Sequence, residues 1–253
     1  MTPQEELLAL SRDLGRPERD YVVLAEGNTS TLLEDGTFLV KASGARLGGI
    51  GPGDFVRLRL EPLLAAVLGD GPADVRALFR EARAEPSPGS GDPSIETFVH
   101  VACLALAGAR WVAHTHPTVL TGLLCSPVAE EILLAGPLFP DEVVVCGPAP
   151  VFVPYAEPGL PLARALAPRL RAHEQRFAAP ARVVLLANHG LVALGASPAE
   201  AEAVTAMAVK AARIRTGALA AGGLRTLAAA SVEELGGRRD EVERRARLVG
   251  GAT

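Results

Sequence analysis

Two histidines stand two residues apart on an apolar segment, Trp111-Val112-Ala113-His114-Thr115-His116-Pro117. If residues 110–115 form a strand, alternate side chains share a face, so His114 and His116 project together within reach of one ion. Pro117 would then end the ladder. Taken alone, a His-x-His pair is equally well a strand edge with two hydrogen-bonded or solvated imidazoles. A third histidine follows the continuous apolar run 182–186, in Asn188-His189-Gly190, where a buried strand would deliver it. Three imidazoles at strand ends suit a catalytic divalent-metal site with one open position, because closed structural sites usually recruit cysteine. Zinc leads, and imidazole also accepts iron, cobalt, nickel or manganese. Glu96, in Pro93-Ser94-Ile95-Glu96, is the acidic group suited to carry protons there. Locally, such a glutamate is more often a carboxylate that satisfies a helix N-terminus.

These groups need rigid elements to hold them. Thr2-Pro3-Gln4-Glu5 is a capping box that opens a helix running to about Leu14. Gly27-Asn28-Thr29-Ser30-Thr31 reads as a small-residue loop, Asp35-Gly36 as a hairpin turn between strands, and Ser43-Gly44 as a second small-residue turn. Such loops can aim N–H groups and hydroxyls at an anion, although their commoner task is only to turn the chain. Residues 54–60 read as a strand, 61–68 and 72–84 as helices, and 85–92 as a loop. Pro93 then opens a helix with Ile95, Phe98, Val99, Ala102, Cys103 and Leu106 on its apolar side and with Glu96 and His100 one turn apart. His100 is expected behind the site or in the core. Residues 118–124 and 128–135 are helical pieces, 137–141 a loop, and Val143-Val144-Val145 and Val151-Phe152-Val153 short strands. A helix over 159–173 ends at His173, expected at the solvated surface between Arg171 and Glu174. Ser197-Pro198-Ala199-Glu200 caps a long helix to about Thr216, and the tail from about residue 222 is polar and peripheral.

With 253 residues, 49% of them hydrophobic, the chain can bury a substantial core as one domain over 1–253. A net charge of −4 and no basic run interleaved with aromatics exclude a nucleic-acid footprint. Cys103, Cys125 and Cys146 lie far apart without metal or redox spacing, which suits small buried thiols in a reducing compartment, so a cytoplasmic location is expected. Every apolar run is interrupted well short of the roughly 20 residues that a membrane-spanning helix needs.

Taken in order, Gly27-Asn28-Thr29-Ser30, the Ser43-Gly44 turn, Pro93-Ser94-Ile95-Glu96 with His100, His114-Thr115-His116-Pro117 and Asn188-His189-Gly190-Leu191 resemble the class II aldolase/adducin family over most of the chain. The resemblance implies a three-layer α/β/α fold with a central mixed, largely antiparallel sheet. It implies a Zn2+ site, or one for another divalent transition metal, at His114, His116 and His189. Glu96 would be the catalytic proton carrier, and Gly27, Asn28, Ser43, Gly44 and Ser94 would bind the substrate phosphate. The implied reaction is cleavage of a C–C bond of a ketose phosphate or related hydroxy-carbonyl compound through an enediolate whose charge a divalent ion stabilises. The same site would serve decarboxylation, epimerisation or dehydration, and a non-catalytic adducin-like binding module is the remaining alternative. A homo-oligomer, with a tetramer favoured, acting on a small-molecule substrate completes the expectation. Two departures stand out. Ile95 occupies a position where the pattern has a second serine, which removes a hydroxyl from the anion loop. No tyrosine lies between Glu131 and Glu142, where the fuculose-phosphate aldolases supply a proton donor. The pattern Leu138-Phe139-Pro140-Asp141 is closer to aldolase domains of the rhamnulose-phosphate type.

Overall fold

The computed structural model describes residues 1–238. Seven strands form one sheet: β1 (Asn28–Leu32), β2 (Thr37–Lys41), β3 (Phe55–Arg59), β4 (Trp111–Thr115), β5 (Val151–Val153), β6 (Val183–Leu186) and β7 (Gly190–Gly195). Their order is β3-β2-β1-β4-β7-β6-β5, and every neighbouring pair is antiparallel except β5 and β6. The mixed, largely antiparallel sheet is therefore as expected.

Strand alternation sends side chains into two separate cores. Along β7, Val192 and Leu194 enter one core, and Leu191 and Ala193 the other. The first core lies under α2 (Leu60–Leu68), α3 (Val75–Ala82), α4 (Thr97–Leu106) and α8 (Leu160–Phe177). The second lies under α1 (Pro3–Leu14), α5 (Thr118–Leu124), α6 (Ala129–Leu134), α7 (Pro140–Cys146) and α9 (Pro198–Ala220). Helices on both faces of one sheet make the three-layer α/β/α arrangement. The helix starts read from sequence hold at α1, where Thr2 and Glu5 exchange both bonds of a capping box, and at α9, where Ser197 Oγ accepts from the Glu200 N–H.

Four local readings differ. Val143-Val144-Val145 is not a strand but the body of α7, which begins on Pro140 with Asp141 and Glu142 in its first turn. Tertiary contact with α9 overrides the β preference of the valines, since Val145 and Cys146 bury against that helix's core and Glu142 pairs with Arg215. Asn28–Leu32, read in part as a loop, is a strand. α4 begins at Thr97, leaving Glu96 as its N-cap residue with no side-chain cap bond. His173 is buried, not solvated: it continues the stripe Ala163, Leu166 and Leu170 along α8 and bonds through Nε2 to the Ala149 carbonyl. In the tail, α10 (Ala229–Gly237) follows a segment anchored by the Leu227 N–H on the Pro137 carbonyl; the part of the tail after residue 238 lies outside the described residues. Among the described residues no helix is long and apolar enough to cross a membrane.

Candidate metal centre

β4 is the middle strand of the sheet, flanked by β1 and β7, and the register sets Asn28 and Val192 on either side of His114. His114 follows Val112 on the face covered by α4, so it lies beneath the helix start that carries Glu96. His116, just past the end of β4, returns to that side. The three-residue turn between β6 and β7 brings His189 across, with Asn188 left-handed at φ 55, a conformation that asparagine tolerates better than most residues. Gly190 makes the approach possible, because a Cβ there would sit 2.6 Å from the Thr115 carbonyl and 2.7 Å from the His116 ring.

The result is one cluster in which a ligand atom from each of Glu96, His114, His116 and His189 lies within 4.8 Å of all the others. His114 Nδ1 donates to the Leu191 carbonyl at 2.9 Å, which fixes the tautomer and leaves the Nε2 lone pair facing inward. That Nε2 is 3.0 Å from His116 Nε2 and 3.3 Å from His189 Nε2. The three Nε2 atoms thus converge on one point, as nitrogens that share an ion do. Three nitrogens at the usual zinc–nitrogen length around a tetrahedral ion lie about 3.3 Å apart, so the donor set fits a divalent metal. Glu96 Oε1 closes the ring at 2.8 Å from His189 Nε2 and 3.4 Å from His114 Nε2. Burial opposes charge on Glu96, but the imidazoles of His114 and His189 outweigh it and hold the carboxyl far below its usual range. Burial also opposes charge on His114, and there the Glu96 carboxylate wins and raises the ring. His116, buried beside the other two rings, is pushed down to about 3, so it stands ready as a neutral ligand without proton competition.

The family described as Class II Aldolase and Adducin N-terminal domain matches residues 5–216. The chain belongs to this family. Among its relatives, the 3-oxo-tetronate 4-phosphate decarboxylase of Escherichia coli K12 is 33% identical over 187 residues, 73% of each chain. Among solved structures, YgbL of Klebsiella pneumoniae superposes with a TM-score of 0.70 at 27% identity, covering 92% of this chain and 96% of that one. The l-fuculose-1-phosphate aldolase of Thermus thermophilus shares the fold at a TM-score of 0.61 and 21% identity, covering 88% and 100%.

In this class II aldolase/adducin chain Asn28, Ser94 and Gly27, also singled out from sequence, adjoin the cluster. Asn28 Nδ2 donates to Glu96 Oε2 at 2.7 Å, and Ser94 Oγ accepts from the Glu96 N–H at 3.3 Å. Gly27, with φ +69, runs so close under β4 that a Cβ would meet the His114 carbonyl at 2.7 Å. The Ser43-Gly44 turn is pinned to the loop before α4 by the Ser43 N–H on the Asp92 carbonyl. Ile95 is exposed beside Glu96. His100 is fully buried next to Asn28 and Ser30; burial, with His114 nearby, pushes it down to about 3. Of the cysteines, Cys103 and Cys146 are buried and Cys125 is exposed.

Sequence reasoning assigned no role to Lys41. It is only 2% exposed, and its ammonium donates to the carbonyls of Ala25 at 3.3 Å and Ala45 at 2.6 Å. It thereby ties together the two loops that hold Gly27-Asn28 and Ser43-Gly44. Burial lowers its pKa while Glu96 and Asp54 favour the charge. The signal was present: a lysine in the apolar strand Phe38-Leu39-Val40-Lys41 is rare unless it is partnered or used.

Proposed function

We propose that the chain is a zinc-dependent lyase that breaks a C–C bond next to a ketone, and that the bond is the one to a carboxylate. The substrate class is a 3-oxo-hydroxy acid carrying a phosphate at its far end, as in the name of the E. coli relative at 33% identity. His114, His116 and His189 would hold the ion, Glu96 would carry the proton, and Gly27, Asn28, Ser43, Gly44 and Ser94 would bind the phosphate, with the buried Lys41 charge behind the first four. Iron, cobalt, nickel or manganese are the alternatives to zinc.

The observation that carries the choice of reaction is the supply of proton carriers. Retro-aldol cleavage needs one group to take the hydroxyl proton of the departing aldehyde and another to protonate the enediolate carbon. Decarboxylation needs only the second, because CO2 leaves without a proton. Glu96 is the carboxylate on the inward face of the histidines, whereas Glu26 stands behind His116, 3.9 Å from its Nδ1. Of the two tyrosines, Tyr21 is buried and the Tyr155 hydroxyl donates to Glu157 at 3.3 Å. Among the described residues of one chain, a single proton carrier on the inward face supports decarboxylation.

When bound, a divalent ion at the imidazoles would supply positive charge for the ketone oxygen, which gains electron density as the bond breaks. The chain does the rest. The phosphate loops fix the far end of the substrate, so that binding energy remote from the reacting carbon orients the scissile bond. The bond from the carboxylate carbon breaks, its electrons pass toward the ketone oxygen, and Glu96 hands a proton taken from solvent to the carbon left behind.

The unit we envisage is a single domain spanning the whole chain, with its tail at the edge, cytoplasmic, and assembled as a homo-oligomer, a tetramer being favoured. The exposed apolar side chains of Val23, Leu24, Ile95 and Tyr155 support burial between copies. Zinc-loaded protein should release one CO2 per 3-oxo-tetronate 4-phosphate consumed. Aldehyde released from a panel of ketose 1-phosphates, with no CO2 from the acid, would replace decarboxylation by aldol cleavage. Neither product from metal-loaded protein would remove the lyase reading.

A further inference from the structure

His100 lies on α4 one turn past Glu96, with no surface exposed. Both of its ring nitrogens are engaged by residues some 70 positions earlier in the chain: Nδ1 is 2.7 Å from Ser30 Oγ, and Nε2 bonds to Asn28 Oδ1. Asn28 Nδ2 in turn donates to Glu96 Oε2 at 2.7 Å. With the ring held neutral by its complete burial, only one assignment of protons satisfies the whole chain. An amide oxygen carries no hydrogen, so His100 Nε2–H is the donor to Asn28 Oδ1. The lone pair of the neutral ring is then on Nδ1, where it accepts the Ser30 hydroxyl proton. With its oxygen committed to His100, Asn28 has its amide N–H groups turned toward Glu96. Glu96 Oε2 is thereby tethered, and Oε1 is left to face His189 and His114.

We infer that His100 is a positioning residue: by holding the oxygen of Asn28 it fixes which way that amide points, and through the amide it holds the Glu96 carboxylate in the orientation in which it serves the histidine cluster. The inference rests on the reading of Glu96 as the proton carrier. An apolar side chain would fill the same buried space without the desolvation cost of two ring nitrogens. What imidazole adds is a donor and an acceptor on opposite sides, which makes the relay directional. Asn28 also has a second amide hydrogen beyond the one given to Glu96, so a substrate anion bound in the same loop would meet a donor whose direction His100 has already set.

The first test needs no substrate. Imidazole 15N spectra of the purified chain, metal-free and zinc-loaded, should show His100 as the neutral Nε2–H tautomer at neutral pH. An Nδ1–H tautomer or an imidazolium would overturn the inference. In His100→Leu the 13C carboxyl resonance of Glu96 should move, whereas in His100→Gln, whose amide N–H can replace Nε2–H, it should stay near the wild-type position. An unmoved resonance in His100→Leu, or equal movement in both variants, would overturn it. In turnover, His100→Leu should lose about 10²-fold in kcat, the scale of a misplaced reacting group, with zinc content unchanged and a smaller rise in KM, and His100→Gln should recover most of that loss. Equal losses in both, or a loss confined to KM, would count against the relay. If His100→Leu does not fold, Ser30→Ala takes its place: the Nε2–H tautomer should persist, because Asn28 Oδ1 still requires that proton, and a switch to the Nδ1–H tautomer would refute the role. A wild-type protein without lyase activity would defeat the proposed function, yet the two spectra would still decide the relay.

Discussion

Gly190→Ala places one methyl group between the two segments that carry His116 and His189. The added Cβ would lie 2.6 Å from the Thr115 carbonyl oxygen and 2.7 Å from His116 Cδ2, about 0.8 Å short of ordinary contact with the oxygen. The carbonyl belongs to the β4–β7 pair and cannot move alone, because Thr115 faces Leu191 in that ladder. Relief must come from the turn bearing His189, from the His116 ring, or from both. Metal–ligand lengths tolerate only about 0.2 Å of error, so a shift of several tenths of an ångström takes at least one imidazole out of reach. Overpacking of this kind costs about 1–3 kcal/mol, which for a chain of this size lowers Tm by about 2–12 °C. The metal should suffer more: an affinity loss of about 10–100-fold is the usual consequence of disturbing the support of a ligand. Chelator competition and thermal melting of the metal-free protein separate the two effects. Gly49→Ala, where a Cβ would meet nothing within 4 Å, is the control and should change neither. If Gly190→Ala binds zinc as tightly as the wild type and melts at the same temperature, the close approach is not what assembles the cluster.

Glu96→Gln should keep about one metal ion per chain by elemental analysis and lose about 10²–10⁴-fold in kcat, the usual contribution of a positioned acid or base; activity near wild type would remove Glu96 from the mechanism. His189→Ala should fail to retain zinc at low free metal, and full retention would reassign the third ligand. Lys41→Met should weaken binding of a phosphorylated substrate and yet raise stability at neutral pH. Burial lowers the folded pKa of Lys41 below the ordinary lysine value of 10.5, so the wild type gains stability as pH rises toward 10.5 and loses it as pH falls through the depressed value. The stability gap between the two proteins should therefore narrow on going from pH 7 to pH 10.5 in denaturant titrations, and a gap that widens would contradict a buried, costly ammonium. Ile95→Ser restores a hydroxyl beside Glu96 and should lower KM for a phosphorylated substrate with little change in kcat, measured by initial rates.

Where local pattern and tertiary demand agree, the sequence alone is enough: the helix starts at Thr2 and Ser197, the buried apolar run that forms β6, and the His-x-His at the end of β4. Where they disagree, it misleads in an instructive way. Val143-Val144-Val145 carries strong β preference, but Pro140, Asp141 and Glu142 just ahead are helix-start residues, and the contact with α9 decides in their favour. His173 has polar neighbours in sequence, yet it falls three residues after Leu170 on the buried stripe of α8, and spacing outweighs neighbourhood.

The histidine cluster could be anticipated because His114 and His116 share the end of β4 and His189 follows the end of β6, so residue type and strand pattern suffice. The group that orients Glu96 could not. Ser30, Asn28 and His100 are joined by pairings across some 70 residues, and nothing in a strand's alternation or a helix's period records which residue of β1 will lie under the first turns of α4. What creates the pairing is the sheet order, since β1 returns beside β4 and sets Asn28 opposite His114. The same register that brings a ligand to the ion therefore brings the amide to the carboxylate. A change that slid β1 against β4 by one residue would turn Asn28 to the other face, leaving the three histidines in place and Glu96 without its tether. Metal binding and catalysis should thus be separable by perturbing β1 alone.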